Sequence, residues 1–339
     1  MKEPSYLDKF LPMLWPTLLL LLSVISPFVV DAGQARQVKI AVPGLTNLIA
    51  FQVAQDKGYY RQEGLEIVPI VMAATLANQA LIAGNVEINS AGGASLSAML
   101  AGAPLKFIFT TFERPLHTLL ATREIRDVKQ LKGKKIAVPG GLGSGADSNL
   151  RIVLKKHGIE GGREVLILGL PTSAIGYTAL LGGSVDAALL AAEQTIRAQE
   201  LGYRTLVSFT DEALGLVQPQ GNVIIRDEVL RSDSGVVENL IRATLKGLLY
   251  ARENRAEAIS IYSARNKIKE DLGTKMLDLL YPAMVTDGAM SLPAQQRVVD
   301  GLLERTEKKD YPPLIRMFDF SLARKAYGEL QAQGWKPRQ

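Results

Sequence analysis

Val38-Lys39-Ile40-Ala41-Val42-Pro43-Gly44 returns further along the chain as Lys134-Lys135-Ile136-Ala137-Val138-Pro139-Gly140. A second matched pair follows the first at near-equal distance: Ala80-Leu81-Ile82-Ala83-Gly84-Asn85-Val86-Glu87, then Ala179-Leu180-Leu181-Gly182-Gly183-Ser184-Val185-Asp186. Two matched elements in one order mark an internal duplication. Two copies are too few for a solenoid, so the chain reads as two similar domains.

Each copy reads as an α/β unit. Val38 to Val42 is apolar enough for a buried parallel strand, and Pro43-Gly44 ends it. Leu48, Phe51 and Ala54 then fall at helical spacing before Gly58, and Leu65 to Val71 supplies a second strand. A helix from about Leu76 to Ala83 and a short strand Val86 to Ser90 complete the unit. The second copy repeats this order: strand Lys135 to Val138, a glycine-rich loop, a helix with Leu150, Val153, Leu154 and His157 on one face, strand Val165 to Leu168, a helix around Ile175 to Leu181 and strand Ala187 to Leu190. Alternation of this kind predicts parallel sheets with helices on both faces. From Val236 onward the pattern is helical: Val237, Leu240, Ile241, Thr244, Leu245 and Leu248 follow the 3.6-residue period. Further amphipathic segments lie near Lys275 to Met284, Ala294 to Glu304 and Leu322 to Ala332. They are expected to pack on one of the two units.

The 339 residues are 47% hydrophobic and 22% charged, a globular balance that can bury a large core. Cysteine is absent, which excludes disulfides, zinc-thiolate sites, thiol catalysis and iron-sulfur ligation. His117 and His157 are the only histidines, so a histidine-rich metal site is not expected. The first 35 residues hold two lysines against three carboxylates, so the net charge of +5 becomes +6 for the remainder. That modest basicity suits an anionic ligand or a solvated surface, and no basic block interleaved with aromatics points to nucleic acid.

Leu11 to Val30 is almost continuously apolar, and Asp31-Ala32-Gly33-Gln34-Ala35 follows. The stretch reads as a signal peptide cleaved after Ala35, with Ala32 an alternative point. A retained anchor is the competing reading, because about 20 apolar residues span a bilayer. In either case the rest faces outward, and no second segment of that length suggests a permease.

In open parallel sheets, ligands bind beyond the carboxyl ends of the strands, where helix N-termini present free N–H groups. The first unit offers Pro43-Gly44-Leu45-Thr46-Asn47 there, and Ala91-Gly92-Gly93-Ala94-Ser95 read as a loop after the third strand. The second offers Gly140 to Asp147, Thr172-Ser173 and Glu193. Candidate ligand contacts are therefore Thr46, Asn47, Gly93, Ala94, Ser144, Gly145, Ala146, Thr172 and Glu193, with Arg114 beyond the strand Phe107 to Thr111 and Asn222 further along. Glycine lets backbone approach a ligand, and hydroxyls both donate and accept. Gly141-x-Gly143-x-x-Ala146 satisfies a relaxed dinucleotide fingerprint. The second strand, however, ends in Leu168-Gly169-Leu170-Pro171 without the acidic residue that pattern needs, so no cofactor is expected. A plain glycine-rich turn, a solvated Arg114 and a helix-capping Glu193 are the alternative readings, and His157 reads as a packed or partly exposed side chain.

These residues resemble the ABC-transporter solute-binding proteins of the sulfonate, taurine, nitrate and thiamine-precursor group. The likeness rests on Gly58-Tyr59-Tyr60-x-x-Glu63-Gly64-Leu65, Ala80 to Glu87, Gly102-Ala103-Pro104-Leu105-Lys106-Phe107, Leu131 to Val138, Gly183-x-Val185-Asp186-Ala187-Ala188 and Val223-x-x-Arg226-Asp227. It implies a two-lobed type II periplasmic-binding fold, an α/β architecture of two similar parallel-sheet domains. Residues 36–118 and 223–339 would form lobe 1 with the C-terminal helices, and 119–222 lobe 2, joined by crossovers near Leu116 to Arg123 and Gly221 to Ile225. The resemblance implies a monomer that captures a small molecule by hinge closure, without catalysis, and hands it to an ABC permease and its ATPase. An enzyme on the same fold acting on a cyclic or pyrimidine-like substrate, or a ligand-sensing receptor, are the alternatives.

Overall fold

The computed structural model describes residues 35–303 and 311–337. The apolar stretch Leu11 to Val30, and with it the signal-peptide reading, lies outside them. Among the described residues no helix is long and apolar enough to cross a membrane.

The chain opens with β1 (Arg36–Val42), α1 (Ile49–Asp56), α2 (Tyr59–Gln62), β2 (Leu65–Val71), α3 (Ala74–Ile82), β3 (Ile88–Asn89), α4 (Gly92–Leu100) and β4 (Leu105–Phe109). It continues through β5 (His117–Ala121), β6 (Lys135–Pro139), α5 (Gly145–Lys156), β7 (Leu166–Leu170), α6 (Ser173–Leu181), β8 (Ala187–Ala191), α7 (Ala192–Glu200) and β9 (Arg204–Ser208). Among the described residues only helices follow β10 (Val223–Arg226): α8 (Asp227–Ser232), α9 (Ser234–Glu253), α10 (Arg255–Asn266), α11 (Glu270–Leu280), α12 (Leu292–Leu303), α13 (Leu314–Met317) and α14 (Ser321–Ala332).

Two five-stranded sheets result, ordered β2-β1-β3-β10-β4 and β7-β6-β8-β5-β9. The duplicated strands β1 and β6 hold equivalent places, each parallel to both neighbours. To these parallel strands each sheet adds one running the other way, so both sheets are mixed. β10 lies antiparallel between β3 and β4, and β5 antiparallel between β8 and β9. The exchange is reciprocal: β5 follows the last strand of the first half into the second sheet, and β10 follows β9 back into the first.

Burial explains the sequence pattern. Ile40, Ala41 and Val42 of β1 and Ile136, Ala137 and Val138 of β6 are fully enclosed because helices cover both faces of each sheet. β2 is an edge strand and tolerates Pro69, which cannot donate to a second neighbour. The C-terminal helices cover the first sheet: α9, α10, α11 and α14 share a core with α1 on one face, while α12 and α13 join α3 and α4 on the other. α9 and α1 touch backbone to backbone, since a Cβ on Gly247 would stand 2.1 Å from the Ala50 carbonyl oxygen. The second sheet is sandwiched by α5 on one side and α6 on the other. α7 also reaches the first half, where Ala192 and Ile196 join the α1–α9 core and Glu200 pairs with Lys275 at 2.6 Å.

Candidate functional site

A cavity of about 1000 Å³ opens between the two halves of the duplication. The first half lines it with Gly44 and Asn47 after β1 and with Ser90 to Ala94 after β3; the second lines it with Gly140 and Leu142 to Gly145 after β6 and with Asn149 and Ile152 of α5. Both walls therefore stand at the carboxyl ends of parallel strands. The segment Leu214 to Gly221, which leads into β10, forms the floor, and α12 contributes Arg297 and Asp300.

The segment Ala91 to Ser95, read from sequence as a loop, is the start of α4. Its glycines have loop composition, but Leu96, Met99 and Leu100 are buried at helical spacing and carry the signal that outweighs it. Gly93 and Ala94 thus lie in a first helical turn whose N-terminus has no side-chain cap. Uncapped N–H groups with the positive end of the helix dipole favour an anion or a carbonyl oxygen. The opposite helix, α5, is built differently. Ser144 accepts from the Asp147 N–H at 3.2 Å, and buried Asp147 accepts from the Gly143 N–H at 2.8 Å while pairing with Arg151 at 2.9 Å. That brace fixes the shape of the glycine loop.

The floor is held by amides. Asn47 donates to Gln220 Oε1 at 2.6 Å, and Asn149 donates to Gln218 Oε1 at 2.8 Å, so one short stretch is bonded to both walls. Asn222 donates to the carbonyls of Ser90 and Pro219 from behind the wall. Gln220 Nε2 is buried without a partner, a free donor on a cavity-lining residue. Gly221 adopts φ +63°, and a Cβ there would lie 2.5 Å from the Asn47 carbonyl oxygen, so only glycine fits at this crossing. The charged residues of the lining are Lys155, Lys156, Arg297 and Asp300. Among the described residues these are three cations against one carboxylate, so the lining is net positive.

Of the residues picked from sequence, the cavity lining brings together Asn47, Gly93, Ala94, Ser144 and Gly145. Thr46 is exposed beside Asn47, Ala146 is buried inside α5, and Asn222 is buried behind the wall. Thr172 caps α6 by accepting from the Ile175 N–H, and Glu193 pairs with Arg197 in the first turn of α7. Arg114 pairs with Glu212 at 3.3 Å in an adjoining cavity of about 520 Å³ that shares Gly215, Leu216, Val217 and Arg297 with the first, and there burial pushes the Glu113 carboxyl up. His157 is packed, its Nδ1 2.9 Å from the Val153 carbonyl. Sequence reasoning missed Asn149, Gln218 and Gln220. A Gln-Pro-Gln run just before the second crossover was the available signal, and it is a weak one.

Among the described residues no group of three or more histidine or acidic side chains could hold a metal ion.

Residues 45–258 match the family model described as NMT1/THI5 like. Among curated proteins, a riboflavin-binding protein, RibY of Chloroflexus aurantiacus, is 23% identical over 239 residues, covering 67% of this chain. The chain spans 65% of that relative's length. Among solved structures, the periplasmic aliphatic sulphonate binding protein SsuA of Escherichia coli superposes with a TM-score of 0.66 at 17% identity, over 83% of this chain and 91% of that one. The desulfurization enzyme DSZB gives 0.64 at 13% identity, over 87% and 99%. At such identities the likeness is one of fold.

Proposed function

Because the chain belongs to the NMT1/THI5-like family, we propose that it is the extracytoplasmic solute-binding component of an ABC importer. It captures a small anionic or aromatic organic molecule between two lobes, residues 36–118 with 223–339 and residues 119–222, and closes on it. The observation that carries this reading is the floor. A single crossing segment is hydrogen-bonded through Gln220 to one wall and through Gln218 to the other. A ligand that replaces or joins those amide bonds therefore acts on both lobes at once. Asn47, Gly93, Ala94, Ser144 and Gly145 are the proposed direct contacts, with Gln218, Gln220 and Asn149 added. An anionic group would sit at the uncapped start of α4, facing Arg297 and Lys155. The periplasm is the proposed location, and an ABC permease with its ATPase the proposed partners. Thiol chemistry is not available to a chain without cysteine, and the reading needs no catalytic group.

The test is a thermal-stability screen of the purified chain against sulfonates, nitrate, carboxylates, pyrimidines and riboflavin. A ligand at 100 times its Kd adds about 2.7 kcal/mol to the folded state, which raises the melting temperature by several degrees. Recovery of the unchanged ligand by mass spectrometry supports the reading, and recovery of a converted product replaces it with an enzyme.

A further inference from the structure

The cavity has an arm that runs beyond the strand ends. α5 turns one face into it with Asn149, Ile152, Lys155 and Lys156, and α12 turns another with Arg297, Val298, Gly301 and Leu302, both at helical spacing. Between the two helices runs the segment Leu214 to Gln218, tied to α5 at both ends. Asn149 donates to Gln218 Oε1 at 2.8 Å, and the Lys156 ammonium donates to the Leu214 carbonyl. The groove so formed follows α5 from Asn149 to Lys156, about 10 Å at the helical rise.

Its inside is apolar and its rim is charged. Leu216 and Val298 are buried, and Ile152, Leu214, Val217 and Leu302 are half-buried. Ile152 and Leu214 rest on a core of the second sheet, Val217 and Leu302 on a core of the first, so the groove has one side on each sheet. Lys155, Lys156, Arg297 and Asp300 stand exposed along the edge. Half-buried aliphatic side chains that face an open cavity stay hydrated until something apolar covers them.

Gly301 points to the occupant. Its φ lies outside the left-handed region, so the backbone does not call for glycine there. A Cβ placed on it meets no described atom within 4 Å, so the neighbouring residues do not call for it either. Within a helix glycine is less favourable than alanine, and what it leaves at this position is room on the α12 wall of the groove. An inorganic anion or a two-carbon acid would occupy the start of α4 and leave that room unfilled. A longer acid fills both, its charge drawn by the net positive lining and its body covering the aliphatic side chains.

We propose that the groove between α5 and α12 is a second subsite, that it holds the apolar body of an elongated organic acid about 10 Å long, and that Gly301 keeps it open. This rests on the solute-binding reading. The test titrates the purified full chain by calorimetry with unbranched alkanesulfonates from the ethyl to the decyl member. The Kd should fall about three- to fourfold for each added methylene and level off near the octyl member, where the tail outgrows the groove. Octylamine, with the opposite charge, should not bind. Gly301→Leu should raise the Kd for octanesulfonate by more than about tenfold, leave ethanesulfonate unchanged and keep or raise the melting temperature. Gly301→Ala should act in the same direction by a smaller factor. Leu292→Ser, at an exposed position of α12 outside the cavity lining, should change nothing in the series. A Kd independent of tail length, an equal loss for short and long members in the Gly301 variants, a loss in Leu292→Ser, or octylamine binding as tightly overturns the proposal. Failure of every sulfonate to bind also overturns it, and the thermal screen then separates the two readings: another solute recovered unchanged leaves the solute-binding role standing, and none sinks that role too.

Discussion

His117 shows how little a residue's type says about its work. From sequence it lay beyond a strand near Arg114; in the structure it starts β5, opposite Ala191, on the first crossing between the sheets. Its Nδ1 is out of contact with solvent and has no hydrogen-bond partner, and burial pushes its pKa down to about 4. The unfolded imidazole takes its proton near 6.5, whereas the folded one resists until about 4. Stability that is complete above pH 6.5 is therefore lost progressively as the pH falls toward 4, by about 1–3 kcal/mol. Melting curves between pH 7.5 and 4.5 should show that slope, and His117→Gln should flatten it. An unchanged slope in the variant would mean that the acid sensitivity lies elsewhere. Gln218 and Gln220 make the same point. Nothing in their identity places them on a cavity floor; only their bonds to Asn149 and Asn47 do.

At the scale of elements, the duplicated strand and helix pattern was legible because burial on both faces imposes a continuous apolar strand and burial on one face a 3.6-residue period. The start of α4 was not, since its two glycines carry the composition of a turn. Two substitutions separate what these segments do. Gly221→Ala puts a Cβ against the Asn47 carbonyl and the Thr111 side chain in a left-handed conformation. The cost should be about 2–4 kcal/mol, seen as a melting temperature lower by several degrees and a weaker ligand response. Gly93→Ala meets nothing within 4 Å and sits in a helix, so the melting temperature should hold. Its ligand-induced shift should nevertheless shrink, because Gly93 lines the cavity and the methyl group would occupy the proposed contact at the start of α4. A full ligand response in Gly93→Ala would move the ligand away from that helix end.

For the whole molecule, the reciprocal exchange of β5 and β10 leaves two strands as links between the sheets. The proposed closure would have its fixed side where α7 packs on α11, with Ile196 buried in the first core and Glu200 held by Lys275. Closure about this side should shorten the distance across the cavity mouth. The radius of gyration from small-angle scattering is therefore expected to fall when a ligand found in the thermal screen is added, and an unchanged value with bound ligand would argue for a rigid site. The amino-acid sequence by itself determined the α/β character, the duplication, the helical C-terminal part and the glycine-rich strand ends that line the cavity, since hydrophobic period and repeated motifs are local properties of the chain. The antiparallel insertion of β5 and β10 and the amide-bonded floor were decided only by the tertiary structure. Each depends on which distant segments meet and which side chains they leave uncovered, and a linear pattern carries no record of that.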